Sequence, residues 1–363
     1  MIGSLPQEEW TSLLGLVSEA IDLEASARQC GALQRRRKID SAQTLLRLAL
    51  VYGPGGQSLS DTATWAALEG IADLSKTALL YRIRDSADWL AQVASALLAK
   101  RSGGGTVGRT WLGRRVRLVD GSSITTRGVG QDWRLHAVYD LGAQRFDQLE
   151  LTSKSQGEGL QRMMPAPGDL IIADRAYTRP QGLGHVRAAG ADFLVRLGAR
   201  SLRLQNLDGT AFDLKAALQQ SIAQGGIDQE ILILNGSAKE WTPLTARLVI
   251  LAKPPQAAKS SRTSALRASQ RGGHRSDPLS LEAAEHLMLI TSIPTDQASP
   301  EQLMDVYRLR WQIELAFKRL KTLLHIDRLP AKEPRLAKAW LSAHLIAALL
   351  IEDIAPQLRD SFP

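Results

Sequence analysis

Leu170-Ile171-Ile172-Ala173-Asp174-Arg175 is an unbroken apolar run that ends abruptly in an acid and a base. A short run with no polar alternation reads as a strand covered on both faces, the kind found inside a sheet with helices packed on either side. The neighbouring segments extend that reading. Val116 to Val119 predicts another buried strand, ending at Asp120. Leu135 to Tyr139 and Phe146 to Leu151 predict two more, joined by a turn containing Gly142 into an antiparallel meander. A helix near Gly157 to Met164 leads into the central run. A further helix at Gly182 to Ala189 and a strand at Phe193 to Leu197 follow it. The segment 109–200 is therefore expected to be the first part of an α/β core.

From about Arg200 to Ala284 the texture loosens. Strand-like pieces at Glu230 to Leu234 and Ala246 to Ala252 flank Trp241, and a basic stretch rich in Ser, Arg and Gly runs from Lys253 to Pro278. The segment 201–284 is expected to be a β-rich insertion carrying a mobile basic loop. Leu287 to Thr291 returns as a strand. Ser299-Pro300-Glu301-Gln302 then opens a long helix, with Ser299 as N-cap and Gln302 closing a capping box. That helix is predicted to reach Leu324. The second part of the core spans 285–345, and 346–363 is a C-terminal tail.

Residues 1–108 read as helices broken by Gly-rich punctuation such as Gly53-Pro54-Gly55-Gly56, closing on the flexible segment Arg101 to Gly108. Within them, a helix from Ser60 to Glu69, a turn, and a helix from Ser75 to Leu90 form a pair. Ser75 caps the second helix, which carries Lys76, Arg82 and Arg84. Such a pair is either a helix-turn-helix presenting its second helix to a DNA groove or an ordinary helical hairpin. The run Arg35-Arg36-Arg37-Lys38 is able to touch phosphates, although most such runs are solvated faces.

The totals constrain function. Lys and Arg outnumber Asp and Glu by 45 to 37, a formal charge of +8. That excess fits a polyanionic partner, nucleic acid ahead of membrane, or simply a basic enzyme. Cys30 is the single cysteine, so an internal disulfide and a cysteine-type zinc site are excluded. The six histidines form no H-x-x-x-H pair, which argues against zinc catalysis. The N-terminus has no basic leader followed by an apolar run, and the apolar stretch Ala339 to Ile351 is too short to span a bilayer. A cytoplasmic protein is expected.

Three carboxylates stand out by position. Asp120 and Asp174 close predicted buried strands, where side chains project into the crevice at a sheet edge. Glu314 lies on the long helix. Two Mg²⁺ ions about 3.5–4 Å apart require at least three hard oxygen donors, and such a pair serves phosphodiester transfer. A lone Asp at a strand end is more often a turn or capping residue. The surroundings of Glu314 add weight: Tyr307, Arg310, Glu314 and Lys321 are spaced 3, 4 and 7 apart and fall on one helical stripe. Two cations and a phenol beside an acid suit phosphate contact, although Arg310 and Glu314 alone would be an ordinary i,i+4 ion pair.

Y-x2-R-x3-E-x6-K, from Tyr307 to Lys321, resembles the C-terminal signature of the insertion-sequence 4 (IS4-type) family of DDE transposases. The blocks LVDGSSI around Asp120 and IIADRAY around Asp174 are similar to that family's upstream blocks, and the resemblance covers about residues 115–329. It implies a ribonuclease H-like catalytic core interrupted by a β-rich insertion, with an α-helical N-terminal DNA-binding domain. It implies cut-and-paste movement of a DNA element: cleavage at terminal inverted repeats in double-stranded DNA, then strand transfer into target DNA. Asp120, Asp174 and Glu314 would hold two Mg²⁺ ions, with Mn²⁺ able to substitute. Tyr307, Arg310 and Lys321 would hold phosphates, with Arg175 assisting, and Trp241 would stack on a flipped-out base. A homodimer in the synaptic complex and a bacterial, nucleoid-associated setting follow from the same resemblance. A nuclease without strand transfer and an inactive DNA-binding regulator remain the alternatives.

Overall fold

The computed structural model describes residues 7–361 apart from 35–37, 103–109, 126–131, 236–242, 274, 276, 325, 327–328 and 331–332. Among the described residues the chain begins with helices α1 (Gln7–Ser18), α2 (Leu23–Gln29), α3 (Ala42–Tyr52), α4 (Leu59–Leu68), α5 (Lys76–Asp85) and α6 (Ala87–Ser102). Strands β1 (Thr110–Trp111), β2 (Arg114–Ile124), β3 (Trp133–Asp140), β4 (Arg145–Ser153) and β5 (Asp169–Ala173) follow, then α7 (Pro180–Ala188) and β6 (Asp192–Arg196). Next come β7 (Arg203–Gln205), α8 (Leu214–Gln224), β8 (Ile227–Leu234), β9 (Leu244–Ala252), α9 (Pro255–Arg271), α10 (Pro278–Ala284) and β10 (His286–Thr291). The chain closes with α11 (Pro300–Arg308), α12 (Trp311–Leu324) and α13 (Pro334–Ser361).

All the strands join one mixed sheet in the order β4-β3-β2-β5-β6-β10-β9-β8-β7, with β1 paired to β2. The β4-β3-β2 meander is antiparallel, while β2-β5-β6 is parallel. Strand alternation divides the interior in two. Leu118, Leu170, Ile172 and Leu194 face a core shared with the N-terminal helices, α11, α12 and α13. Val119, Ile171, Ala173, Phe193 and Val195 face a second core with Leu183 and Val186 of α7 and Leu218 of α8. Every residue of β5 is buried, as its unbroken apolar run requires. Burying each Leu or Ile side chain contributes roughly 1.5–3 kcal/mol, so this sheet is a rigid platform.

Several expectations are corrected. Strands β7, β8 and β9 do not make a separate module: β10 pairs along its whole length with Arg247–Ala252 of β9, so these strands extend the core sheet. The basic stretch expected as a mobile loop is the 17-residue helix α9, which buries none of its residues. The helix expected near Gly157 to Met164 is a single 3₁₀ turn, Leu160–Arg162. The predicted helix from Ser75 to Leu90 is two helices. Buried Ser86 ends α5 by donating its hydroxyl to the Ile83 carbonyl (2.8 Å), and its own carbonyl starts α6 by accepting from Leu90 N (2.9 Å). The capping box at Ser299 is present.

The apolar C-terminal stretch is longer than expected. Helix α13 runs through the proposed boundary at 345/346, and its portion Pro334–Ile354 is long and apolar enough to cross a membrane. The most apolar 18-residue stretch of that portion is 78% buried inside the fold, and the helix packs on α6, α5 and α3, so it acts as a core helix. The N-terminal helices thus share a core with the C-terminal one. The predicted linker begins as the last turn of α6, and its remainder, 103–108, lies outside the described residues. Arg35 to Arg37 lie outside them too.

Candidate active site

Strand register brings the first two acids together. In the parallel β2–β5 ladder the last pair is Val119 with Ala173, so Asp120 and Asp174 follow it side by side. Neighbouring strands are about 4.8 Å apart, which makes them immediate neighbours. Asp120 is not at a strand end, as the sequence suggested, because β2 continues to Ile124 by pairing with β3 alone. It sits instead where β5 leaves the sheet, which opens the same crevice. Asp174 caps the following 3₁₀ turn: its Oδ1 accepts from Ala176 N at 2.8 Å. Asp120 Oδ1 accepts from Gly121 N at 2.8 Å.

The third acid comes from α12, which packs across β2. The helix expected from Ser299 to Leu324 is interrupted at Leu309 and Arg310, where i→i+3 bonds replace the α pattern: Arg310 N donates to Tyr307 O (3.0 Å) and Ile313 N to Arg310 O (3.2 Å). Tyr307 therefore ends α11, Arg310 occupies the break, and Glu314 lies in the first turn of α12. Arg310 Nη2 donates to Glu314 Oε1, while its Nη1 lies 4.0 Å from Asp120 Oδ2. One guanidinium thus spans two of the three carboxylates. Lys321 lies two turns further along α12, half-buried, with no ion pair to a described residue. Arg175 is exposed beside Asp174.

Burial, reinforced by the negative charges of Asp174 and Glu314, pushes Asp120 up to about 6, against the opposing pull of Gly121 N–H and Arg310. Tyr307 is also raised, by burial first, with Arg310 opposing. An acid held this high between two other acids is a site short of positive charge, which is what hard divalent cations supply. The donor set therefore fits the metal ions that the sequence reading expects. The three acids are not yet at shared-ligand separation: among the described residues no group of three or more acids, histidines or cysteines is close enough to hold an ion. Arg310 fills that role electrostatically.

Three contributors escaped the sequence reading. Arg196 follows Val195, the ladder partner of Ala173, so Asp120, Asp174 and Arg196 occupy successive positions on three adjacent parallel strands. The strand prediction ran through Arg196, and its register was the missing information. Glu158 approaches Asp120's neighbour: a Cβ at Gly121 would lie 2.7 Å from Glu158 Oε1. Tyr177 is buried, its hydroxyl has no hydrogen-bond partner among the described residues, and burial together with Glu158, Asp120 and Asp174 raises its pKa. Trp241 lies outside the described residues.

A mixed sheet whose parallel β2–β5 ladder stops beside two acids, with a third on the helix that crosses β2, is the arrangement expected of an enzyme of the DDE class. Residues 111–350 of the 363 match the family described as "Transposase DDE domain", and the chain belongs to that family of DNA transposition enzymes. The large α/β sheet fits the ribonuclease H-like core of such enzymes. The chain is 44% identical over 359 residues to the putative transposase InsL for insertion sequence element IS186A of Escherichia coli (strain K12), covering 98% of this chain and 96% of that one. It is also 44% identical over 360 residues to the transposase for insertion sequence element IS421 of Escherichia coli, with the same coverage.

Proposed function

We propose that this chain cuts DNA at the terminal inverted repeats of an insertion sequence and joins the freed ends to target DNA, with Asp120, Asp174 and Glu314 holding two Mg²⁺ ions. The observation that carries this reading is the placement of Asp120 and Asp174 side by side where β5 leaves β2, with Glu314 brought across by α12. Bound there, divalent ions would activate water or a 3′-hydroxyl and stabilise the leaving oxygen of an in-line displacement; Mn²⁺ would serve as well. Arg310 neutralises the acids in their absence, and a DNA phosphate offers its fork an alternative partner. Tyr307 and Lys321 complete the phosphate grip, with Arg175 at the rim. Trp241 retains the base-stacking role that the resemblance implies.

Helix α5, capped by Ser75 and exposing Lys76 and Tyr81, is the proposed reader of the repeats. Because α5 and α6 pack on α13, this is tested in the whole protein and not in an N-terminal fragment. Lys76→Ala is expected to lower affinity for repeat-containing DNA and to flatten its salt dependence by about one counterion. An unchanged salt slope would move recognition elsewhere. Pairing two element ends calls for a homodimer at synapsis.

The reading is tested by incubating the purified protein with DNA that flanks its own gene, in Mg²⁺ or Mn²⁺. Nicks confined to inverted repeats, followed by joining to a second DNA, are expected. Cutting without end preference or joining would instead indicate a nuclease, and binding without cutting a regulator.

Asp120 supplies an independent check. Its raised pKa means that its contribution to stability is fully present below the usual aspartate range near 4 and is lost as pH rises through about 6. Its side chain is 22% exposed, so the cost at pH 8 without metal is roughly 2–3 kcal/mol. Asp120→Asn keeps an oxygen for Gly121 N–H. It should raise the metal-free Tm by a few degrees at pH 8, leave it unchanged at pH 4, and remove the Tm increase that Mg²⁺ gives the wild type. A destabilised variant at pH 8 would contradict the charge-poor site.

A further inference from the structure

Beside the three acids, a cavity of about 650 Å³ opens between the sheet and α9. Asp174, Arg175, Tyr307 and Arg310 form the wall it shares with the active site, and Arg196, Lys253 and His286 line its sheet side. Helix α9 covers it with small side chains one turn apart, Ser260, Ser264 and Ala268 among them. Nothing in the transposition chemistry described above uses Lys253, His286 or α9.

The polar groups in this cavity are arranged for an anion. His286 is 2% exposed; its Nδ1 lies 3.0 Å from the Glu282 carbonyl, and its Nε2 is buried without a hydrogen-bond partner among the described residues. A carbonyl only accepts, so Nδ1 carries the proton of that bond and ties the ring to α10. Lys253 follows Ala252, the ladder partner of His286, and donates to Ser261 Oγ (2.9 Å) and the Ala284 carbonyl (2.7 Å), both neutral. Burial lowers its pKa and the charge of Arg196 lowers it further; the two cations line the same cavity. Arg196 makes no ion pair with any described residue, and Glu285, next to His286 in sequence, is held by Arg262 of α9. Among the described residues Asp174 is the sole acid lining the cavity.

We propose that this cavity is a second phosphate site, in which Arg196 and Lys253 seat a DNA backbone phosphate away from the scissile bond while α9 closes over it. The small residues on the inner face of α9 leave room for the sugar-phosphate chain, and Arg267 and Arg271, one turn apart at its edge, extend the cationic surface outward. The site fixes the direction in which a strand leaves the three acids. Precise positioning of that kind is most of what phosphoryl transfer asks of a protein.

The inference rests on the transposase reading, and the test separates the two. Repeat-containing duplexes, each with one backbone phosphate replaced by a neutral methylphosphonate, are titrated into the full-length protein in EDTA. For the wild type, one non-scissile position is expected to cost roughly tenfold in affinity, the loss of a charge-assisted contact. In Lys253→Met the same replacement should cost less than about twofold, because its partner is already gone. Lys253→Met also frees α9 from the sheet, so Ala268→Trp, which fills the cavity from the exposed helix, serves as a second variant and should abolish the same dependence. If the methylphosphonate penalty is unchanged in both variants, the cavity does not hold that phosphate. If the wild type does not bind repeat DNA at all, the transposase reading fails with it.

Discussion

Glu314→Gln in the full-length protein is expected to slow DNA cleavage by roughly a thousandfold or more, while affinity for repeat-containing DNA in EDTA stays within about twofold. The substitution preserves shape, and the amide oxygen can still accept from Arg310, so α12 should dock on β2 as before. What is lost is one of three anionic oxygen donors. Several kcal/mol of charge stabilisation at the transferring phosphate depends on that donor set. Asp174→Asn should behave alike, since its amide oxygen can still cap Ala176 N. Gel-based cleavage rates beside anisotropy titrations separate the two quantities. Parallel loss of binding and cleavage would mean that Glu314 holds structure and not metal.

The largest stability effect is expected away from the three acids proposed to hold metal. Arg117 on β2 is buried between two aspartates, with its Nη1 2.8 Å from Asp169 and its Nε 3.0 Å from Asp147; Nη1 also donates to the Met164 carbonyl at 2.8 Å. Burial pulls Arg117 down, but the two aspartates outweigh it and hold its pKa up. Asp147 is raised, by burial above all, against the pull of Arg117 and Arg115. Arg117→Met would leave two buried carboxylates short of a cation, at a cost of about 3–5 kcal/mol at pH 7. The sign with pH is set by Asp147. A raised carboxylate contributes stability that is present below its unfolded value near 4 and is lost as pH rises through the folded one. The deficit of the variant should therefore shrink from pH 7 towards pH 4, where the stranded acids protonate. Denaturant melts of wild type and variant across that range measure it; a pH-independent deficit would refute the charge explanation.

The sheet was legible because apolar continuity and alternation encode which faces are covered. β5 and its neighbours follow from that pattern, as do the acid pair and the capping box at Ser299. Pairing partners are not encoded locally. The strands β7 to β9 look like a separate β-rich insertion until β9 is seen to zip onto β10, and Arg196 becomes a site residue only through its register beside Asp174. Helix breaks were equally hidden, since neither Ser86 nor Arg310 is a helix breaker by propensity. At Ser86 burial and a side-chain bond to Ile83 override the pattern. At Arg310 a switch to i→i+3 bonding turns the stripe from one straight helix into a bend. Helix α9 was read as a loop because its inner face is Ser and Ala: it covers a cavity and so lacks the apolar stripe by which helices are recognised.

The central claim is that Asp120, Asp174 and Glu314 converge on shared metal ions, and metal-directed backbone cleavage tests it most directly. Fe²⁺ is substituted for Mg²⁺ in the purified protein, hydroxyl radicals are generated with ascorbate and peroxide, and the fragments are sized. Cuts clustered near residues 120, 174 and 314, suppressed by excess Mg²⁺ and lost in Asp174→Asn, are expected. Cuts elsewhere, or a pattern indifferent to Mg²⁺ and to that substitution, would contradict it.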